Sequence, residues 1–265
     1  MSILVIIFIS VLSVLIIISV ILHFAQDKII FHAEKLPANY RFSFRNDFEE
    51  INLKTDDNQT LNGLLFKVQD PKGVILFFHN HSGNIEHWSR SANYINHLKY
   101  DTLLMDFRGY GKSTGTYNEK LMYEDAKLWY DFTKDLYDES LITVYGRGIG
   151  GSFATYVSSI NNPKQLILES PLYDLIFTSK SQYPYLPFRG LISKYRFDTA
   201  AYIKNVKCKI YIMHGKLNTL VDYRSSLKLY ELAKDNIDLL IIPDGNHYNL
   251  VNHQMYLNKV EEILK

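Results

Sequence analysis

The sequence predicts an α/β protein, a mostly parallel eight-stranded sheet with helices on both faces, preceded by one membrane-crossing helix. Three observations predict it. From Phe48 onward, short β-branched runs alternate with stretches of helical spacing, the order that gives parallel strands joined by crossover helices. Several of those runs are apolar at nearly every position, as a strand covered on both faces requires. Finally, residues 3–24 form one apolar run broken only by serines and His23. That is long enough for a bilayer, which takes about 20 helical residues.

The elements follow in order. Residues 1–26 are expected to form a transmembrane anchor and residues 27–265 the globular domain. No Lys or Arg precedes the apolar run and no small-residue cleavage pattern follows it, so an uncleaved anchor is favoured over a signal peptide. Lys28, Lys35, Arg41 and Arg45 follow the run. The positive-inside rule then puts the globular part of this single-pass protein in the cytoplasm. Phe48–Lys54 and residues 61–67 read as strands joined by the polar turn Thr55-Asp56-Asp57-Asn58-Gln59. Residues 73–79, 102–106, 141–145, Gln165–Glu169, residues 209–213 and Ile237–Ile242 complete the eight. Helical spacing occupies Glu119–Leu136 and residues 224–234. Residues 171–200 break the rhythm with Pro184, Pro187 and the aromatics Tyr173, Phe177, Tyr183, Tyr185, Phe188, Tyr195 and Phe197. They are read as a small cap between strands six and seven.

Composition narrows the function. At 265 residues and 47% hydrophobic content the chain can bury a large core. A formal net charge of +1 gives no electrostatic case for nucleic acid. The single cysteine, Cys208, cannot form an internal disulfide and opens a strand-like run, so it reads as a small buried hydrophobe. No internal repeat is evident.

In parallel sheets of this kind ligands bind at the carboxyl ends of the strands, and that is where the chemical motifs fall. They are His79-Asn80-His81-Ser82-Gly83-Asn84, Asp106-Phe107-Arg108-Gly109-Tyr110-Gly111-Lys112-Ser113, Tyr145-Gly146-Arg147-Gly148-Ile149-Gly150-Gly151, Leu168-Glu169-Ser170-Pro171, His214-Gly215-Lys216-Leu217-Asn218 and Gly245-Asn246-His247. The third has the strand-turn-helix setting of a nucleophile elbow, G-x-S-x-G, with its glycine frame intact and Gly148 in the place of serine.

Taken together, these motifs resemble the α/β-hydrolase fold, and within it the membrane-anchored Bem46-like or ABHD13-type group, similar to serine aminopeptidases of the S33 type. The resemblance implies a nucleophile at position 148, an acid at 218 and a base at 247. This chain has Gly148, Asn218 and His247 there. It also implies an oxyanion hole from the backbone N–H groups of His81 and Ile149, and an H-G pair where the chain has His79-Asn80. Without a serine hydroxyl no acyl-enzyme forms at 148. Replacing the acid of a triad by its amide costs about 10⁴ in rate in serine proteases. Backbone donors survive side-chain changes, so the hole itself is expected to persist.

Other groups at the strand ends have plainer readings. Ser152 lies about one helical turn beyond the elbow and is read as a packing residue. Glu169 is weighed as a replacement acid and read as structural, and Asp222 and Asp244 as solvated loop residues. Arg108 and Ser113 are read as structural parts of the R-G-Y-G loop. His79, His81, Glu86, His87, His214 and His247 match no known metal spacing, so neither metal nor cofactor is expected.

Three functions are compatible with this pattern. The leading one is a pseudoenzyme that binds a small acyl or peptide-like ligand, or a protein partner, beneath the cap. The alternative is an active ester or amide hydrolase using a non-standard nucleophile or a water activated by His247. The third is an interaction module with a vestigial cleft. If only the chemical groups have decayed, Gly148→Ser with Asn218→Asp is expected to restore esterase activity.

Overall fold

A computed structural model describes residues 2–182 and 193–265. The expected cap residues Tyr183, Pro184, Tyr185, Pro187 and Phe188 lie outside the described residues.

The first helix, α1 (Ile3–Ile30), has a mean hydropathy of 3.3 over its most apolar window and is long and apolar enough to cross a membrane. It continues past the expected boundary at residue 26, because Asp27 and Lys28 change its solvent but not its hydrogen bonding. It stops at Phe31, whose backbone turns extended while its N–H still donates to the Asp27 carbonyl.

The chain then builds a two-stranded pair and an eight-stranded sheet. The pair is β1 (His32–Ala33) with β5 (Ser82–Gly83). The sheet strands are β2 (Phe48–Lys54), β3 (Thr60–Phe66), β4 (Val74–Phe78), β6 (Asp101–Met105), β7 (Ile142–Arg147), β8 (Gln165–Glu169), β9 (Lys209–Gly215) and β10 (Ile237–Ile242). Their spatial order is β10-β9-β8-β7-β4-β6-β3-β2. β2 and β3 form an antiparallel hairpin that joins β6 antiparallel, and every other neighbouring pair is parallel.

β4, β6, β7 and β8 are buried at every position, which is why their sequences show no alternation. One core lies on each face. Trp129, Phe153 and Val144 belong to the first, and Phe77, Trp88 and Tyr145 to the second. The helices covering them are α2 (Ile85–His97), α3 (Glu119–Leu136), α4 (Gly150–Ile160), α7 (Arg224–Leu232) and α8 (Gln254–Ile263). Between β8 and β9 lie α5 (Leu175–Gln182) and the short α6 (Thr199–Ile203).

Parallel register builds the site. Phe78 pairs with both Met105 and Gly146, and Glu169 pairs with both Arg147 and Met213. The residues following those positions, and those following Ile242, which pairs with Gly215, therefore emerge along one edge, although up to 167 residues separate them in sequence. The crossing from β7 into α4 is very close. A Cβ on Gly150 would come within 2.6 Å of the Phe78 carbonyl carbon, so only glycine fits there.

Candidate active site

The turn after β7 sets the centre. Gly148 has φ +55°, the left-handed region that a side chain enters only at a cost of about 1–3 kcal/mol. Its N–H donates to the Glu169 carbonyl on β8, and its carbonyl accepts from Gly151 as α4 begins. The backbone thus makes the sharp elbow that would present a nucleophile, and presents none.

The vacated volume is filled by Asn80. A Cβ built on Gly148 would lie 2.7 Å from Asn80 Cγ and still closer to its Oδ1. The Asn80 carboxamide is buried, and its orientation follows from its partners. Oδ1 accepts the His81 backbone N–H at 2.8 Å and lies 2.9 Å from His81 Nδ1. A backbone N–H can only donate, so the amide nitrogen must be the group 2.9 Å from His247 Nε2.

On the other side of His247 the geometry is equally definite. Asn218 Oδ1 accepts the N–H groups of Leu220 and Val221, both at 3.0 Å. Its Nδ2 therefore faces Ser170 Oγ and His247 Nδ1, each at 3.2 Å. Both ring nitrogens of His247 thus face amide donors. A neutral imidazole accepts at only one of them, so one of the two contacts opposes N–H to N–H. A carboxylate at 218 would keep both backbone bonds and accept from Nδ1–H, the orienting role of a triad acid.

The electrostatics disfavour a charged base. Burial, then the nearby Arg147 guanidinium and the histidines 81 and 214, push the His247 pKa down to about 3. Burial and the neighbouring rings of His32 and His79 push His81 down to about 4. His214 is also lowered to about 4 by burial. It braces the acid loop with Nδ1 on Ser226 Oγ at 2.6 Å and Nε2 on the Val221 carbonyl at 2.8 Å, a pattern a neutral ring satisfies fully.

The remaining candidates sit as follows. Ser152 Oγ is buried and bonded to the Phe197 carbonyl and Thr199 Oγ1, not to His247. Glu169 lies 3.1 Å from Arg147 Nε and accepts from Tyr145 at 2.7 Å and Tyr256 at 3.3 Å, so its carboxylate is occupied within the core. Asp222 pairs with Arg224 and Ser181, and Asp244 with His253. Arg108 is buried against Asp125, and Ser113 Oγ bonds the Asp106 carbonyl. His79 lies against Asp106 at 3.3 Å, while Glu86 and His87 are exposed. Among the described residues, no group of three or more His, Cys, Asp or Glu side chains converges to hold a metal. Cys208 is half-buried, with its thiol pushed up to about 11 by burial.

Two expectations change. The hole was expected to keep both backbone donors, His81 and Ile149. The His81 N–H is taken by Asn80, and the Ile149 N–H has no partner among the described residues. The physical reason is local: a short amide side chain folds back onto the next backbone N–H when position 148 leaves it room. For the same reason the pair Gly148→Ser and Asn218→Asp is expected to fall short, since a serine Cβ would meet the Asn80 carboxamide, which must shift to admit it. Sequence reasoning also missed Arg147, whose Nη2 donates to the His247 carbonyl at 2.9 Å and whose guanidinium stacks over Trp88 at 5.0 Å. The available signal was the pairing of one large-for-small departure, Asn80, with one small-for-large departure, Gly148.

Comparison with known proteins matches this architecture. The family model for serine aminopeptidase, S33, matches residues 69–195. Protein bem46 of Schizosaccharomyces pombe is 30% identical over 54% of this chain and 50% of its own length. This chain has the α/β-hydrolase fold and is similar to proteins of the Bem46-like type. The lysophosphatidylserine lipase ABHD12 of Danio rerio is 28% identical over 64% of this chain, which spans half of that protein. An uncharacterised protein of Acanthamoeba polyphaga mimivirus is 27% identical over 77% of this chain and 76% of its own length. Among solved structures, the Pyrococcus furiosus esterase Pf2001 superposes with a TM-score of 0.70, at 20% identity, covering 89% of this chain and 96% of its own. That likeness carries the fold alone.

Proposed function

We propose that this protein is a membrane-anchored, non-catalytic relative of the serine hydrolases, binding a small acyl or peptide-like ligand, or a protein partner, at the strand-end cleft. The single observation that carries the reading is the Asn80 carboxamide, bonded to His247 Nε2 and filling the space where a residue-148 side chain would stand. An amide nitrogen is not a nucleophile, and a His247 held near 3 is a poor base at neutral pH. The similarity to ABHD12, named a lysophosphatidylserine lipase, favours an acyl lipid among the ligands. Lys28, Lys35, Arg41 and Arg45 favour a cytoplasmic domain.

Two measurements test this. Purified protein is expected to hydrolyse short p-nitrophenyl esters no faster than buffer, and a fluorophosphonate probe is expected to label no serine. Turnover that His247→Ala abolishes, or a labelled serine, would reject the reading in favour of an active hydrolase.

A further inference from the structure

The last turns of α1 are built into the globular domain rather than merely preceding it. The Lys194 backbone N–H donates to Gln26 Oε1 at 2.7 Å. The Asp27 carboxylate accepts from Tyr195 Oη at 2.6 Å and from Lys194 Nζ at 2.8 Å. Phe31 is 5% exposed. It stacks on Tyr117 at 4.2 Å and meets Tyr195 and Phe197 edge-on at 5.1 and 6.0 Å. These contacts seize the segment that returns from the cap region.

The next residues reach the strand-end edge that carries Asn80 and His81. The His32 N–H donates to the His81 carbonyl at 2.9 Å, and the Glu34 N–H to the Gly83 carbonyl at 3.1 Å. The His32 and His81 rings lie 5.3 Å apart. His81 is the residue whose N–H holds Asn80 in place. The return segment meets the elbow from the other side, through the Phe197 carbonyl and Ser152 Oγ on α4 at 3.0 Å. A stretch of about ten residues, leaving the membrane helix, therefore touches both walls of the site.

We propose that Asp27 and Phe31 are positioning residues. Through Tyr195–Phe197 and through His32–His81, the membrane helix fixes the cap's return segment and the Asn80 loop in one arrangement, so that closure of the site by Asn80 depends on an attached anchor. This goes beyond the proposed function and stands whether or not the site turns over a substrate.

The test is amide hydrogen exchange on the full chain in lipid nanodiscs, read without ligand. In Asp27→Ala and Phe31→Ala, residues 195–199 and 81–84 are expected to exchange at least about tenfold faster, with the β7 and β8 amides unchanged. The His247 Nε2 chemical shift is expected to move as Asn80 loosens, a readout that simple destabilisation elsewhere would leave alone. Phe31→Leu keeps the apolar fill and loses the ring stack; it is expected to fold and to accelerate the same two segments by less. Unchanged exchange at either segment, or acceleration spread evenly over the sheet, would overturn the proposal.

Discussion

Asn80 and His247, 167 residues apart in sequence, meet at 2.9 Å through an amide nitrogen and an imidazole Nε2. That nitrogen is the one a triad serine would address. On the proposed reading, the contact puts the Asn80 amide where a nucleophile's hydroxyl would stand.

On the proposed reading, restoring chemistry is expected to need three changes. Gly148→Ser with Asn218→Asp is expected to fold with a lowered Tm, because overpacking against Asn80 costs about 1–3 kcal/mol. It should remain inert toward p-nitrophenyl acetate. Adding Asn80→Gly is expected to relieve the collision, free the His81 N–H and raise turnover at least about 10²-fold over the double variant. Equal activity in the double and triple variants would mean that Asn80 does not block the site.

Asn218→Asp alone should act on His247 without creating activity. A carboxylate keeps the Leu220 and Val221 bonds and replaces the opposed Nδ2 contact at Nδ1 with an acceptor. The His247 pKa is expected to rise by roughly 1–3 units from its depressed value, as an adjacent opposite charge favours the imidazolium. An NMR titration of the ring measures it, and an unchanged or lower value would contradict the orientation of Asn218.

Much of the fold was legible because its strands are buried on both faces and read as unbroken apolar runs; residues 73–79 needed no context to be a strand. The motif order then located the carboxyl edge. What the sequence withheld was direction. Spacing puts Asn80 after β4 and Gly148 after β7, but not the fact that the carboxamide turns into the space over residue 148. It likewise could not tell that Ser152 bonds the Phe197 carbonyl, or that Glu169 is claimed by Arg147 and two tyrosines. Those facts depend on distant strands meeting in register. The helix runs beyond residue 26 to Ile30, and hydropathy marks where a lipid-facing stretch ends, not where a helix ends.

Acid should weaken the protein through its buried rings. His247 is depressed to about 3 from 6.5, and His81 and His214 to about 4. The folded state excludes protons that the unfolded chain binds. Stability is therefore undiminished by these groups above about 6.5 and is lost as pH falls toward the folded values, by up to about 1.4 kcal/mol per unit for each group. Urea melts of the wild type and His247→Gln between pH 7 and 4.5 isolate one of them. The wild type is expected to lose ground relative to the variant as pH drops, and a constant difference would refute the shift.

Glu169→Gln tests the alternative acid. Arg147 is nearly buried, so neutralising its partner should cost about 3 kcal/mol by urea unfolding. In the triple variant, the same change is expected to leave the pH dependence of esterase activity unaltered. A lost basic limb would instead make Glu169 part of the restored triad.

The left-handed turn at Gly148 carries a last consequence. The joint between β7 and α4 is tight, with Gly150 against the Phe78 carbonyl, although residue 148 has no hydroxyl to display. The main-chain bonds that hold it, from Gly148 N–H to the Glu169 carbonyl and from Gly151 N–H to the Gly148 carbonyl, ask nothing of a side chain at position 148.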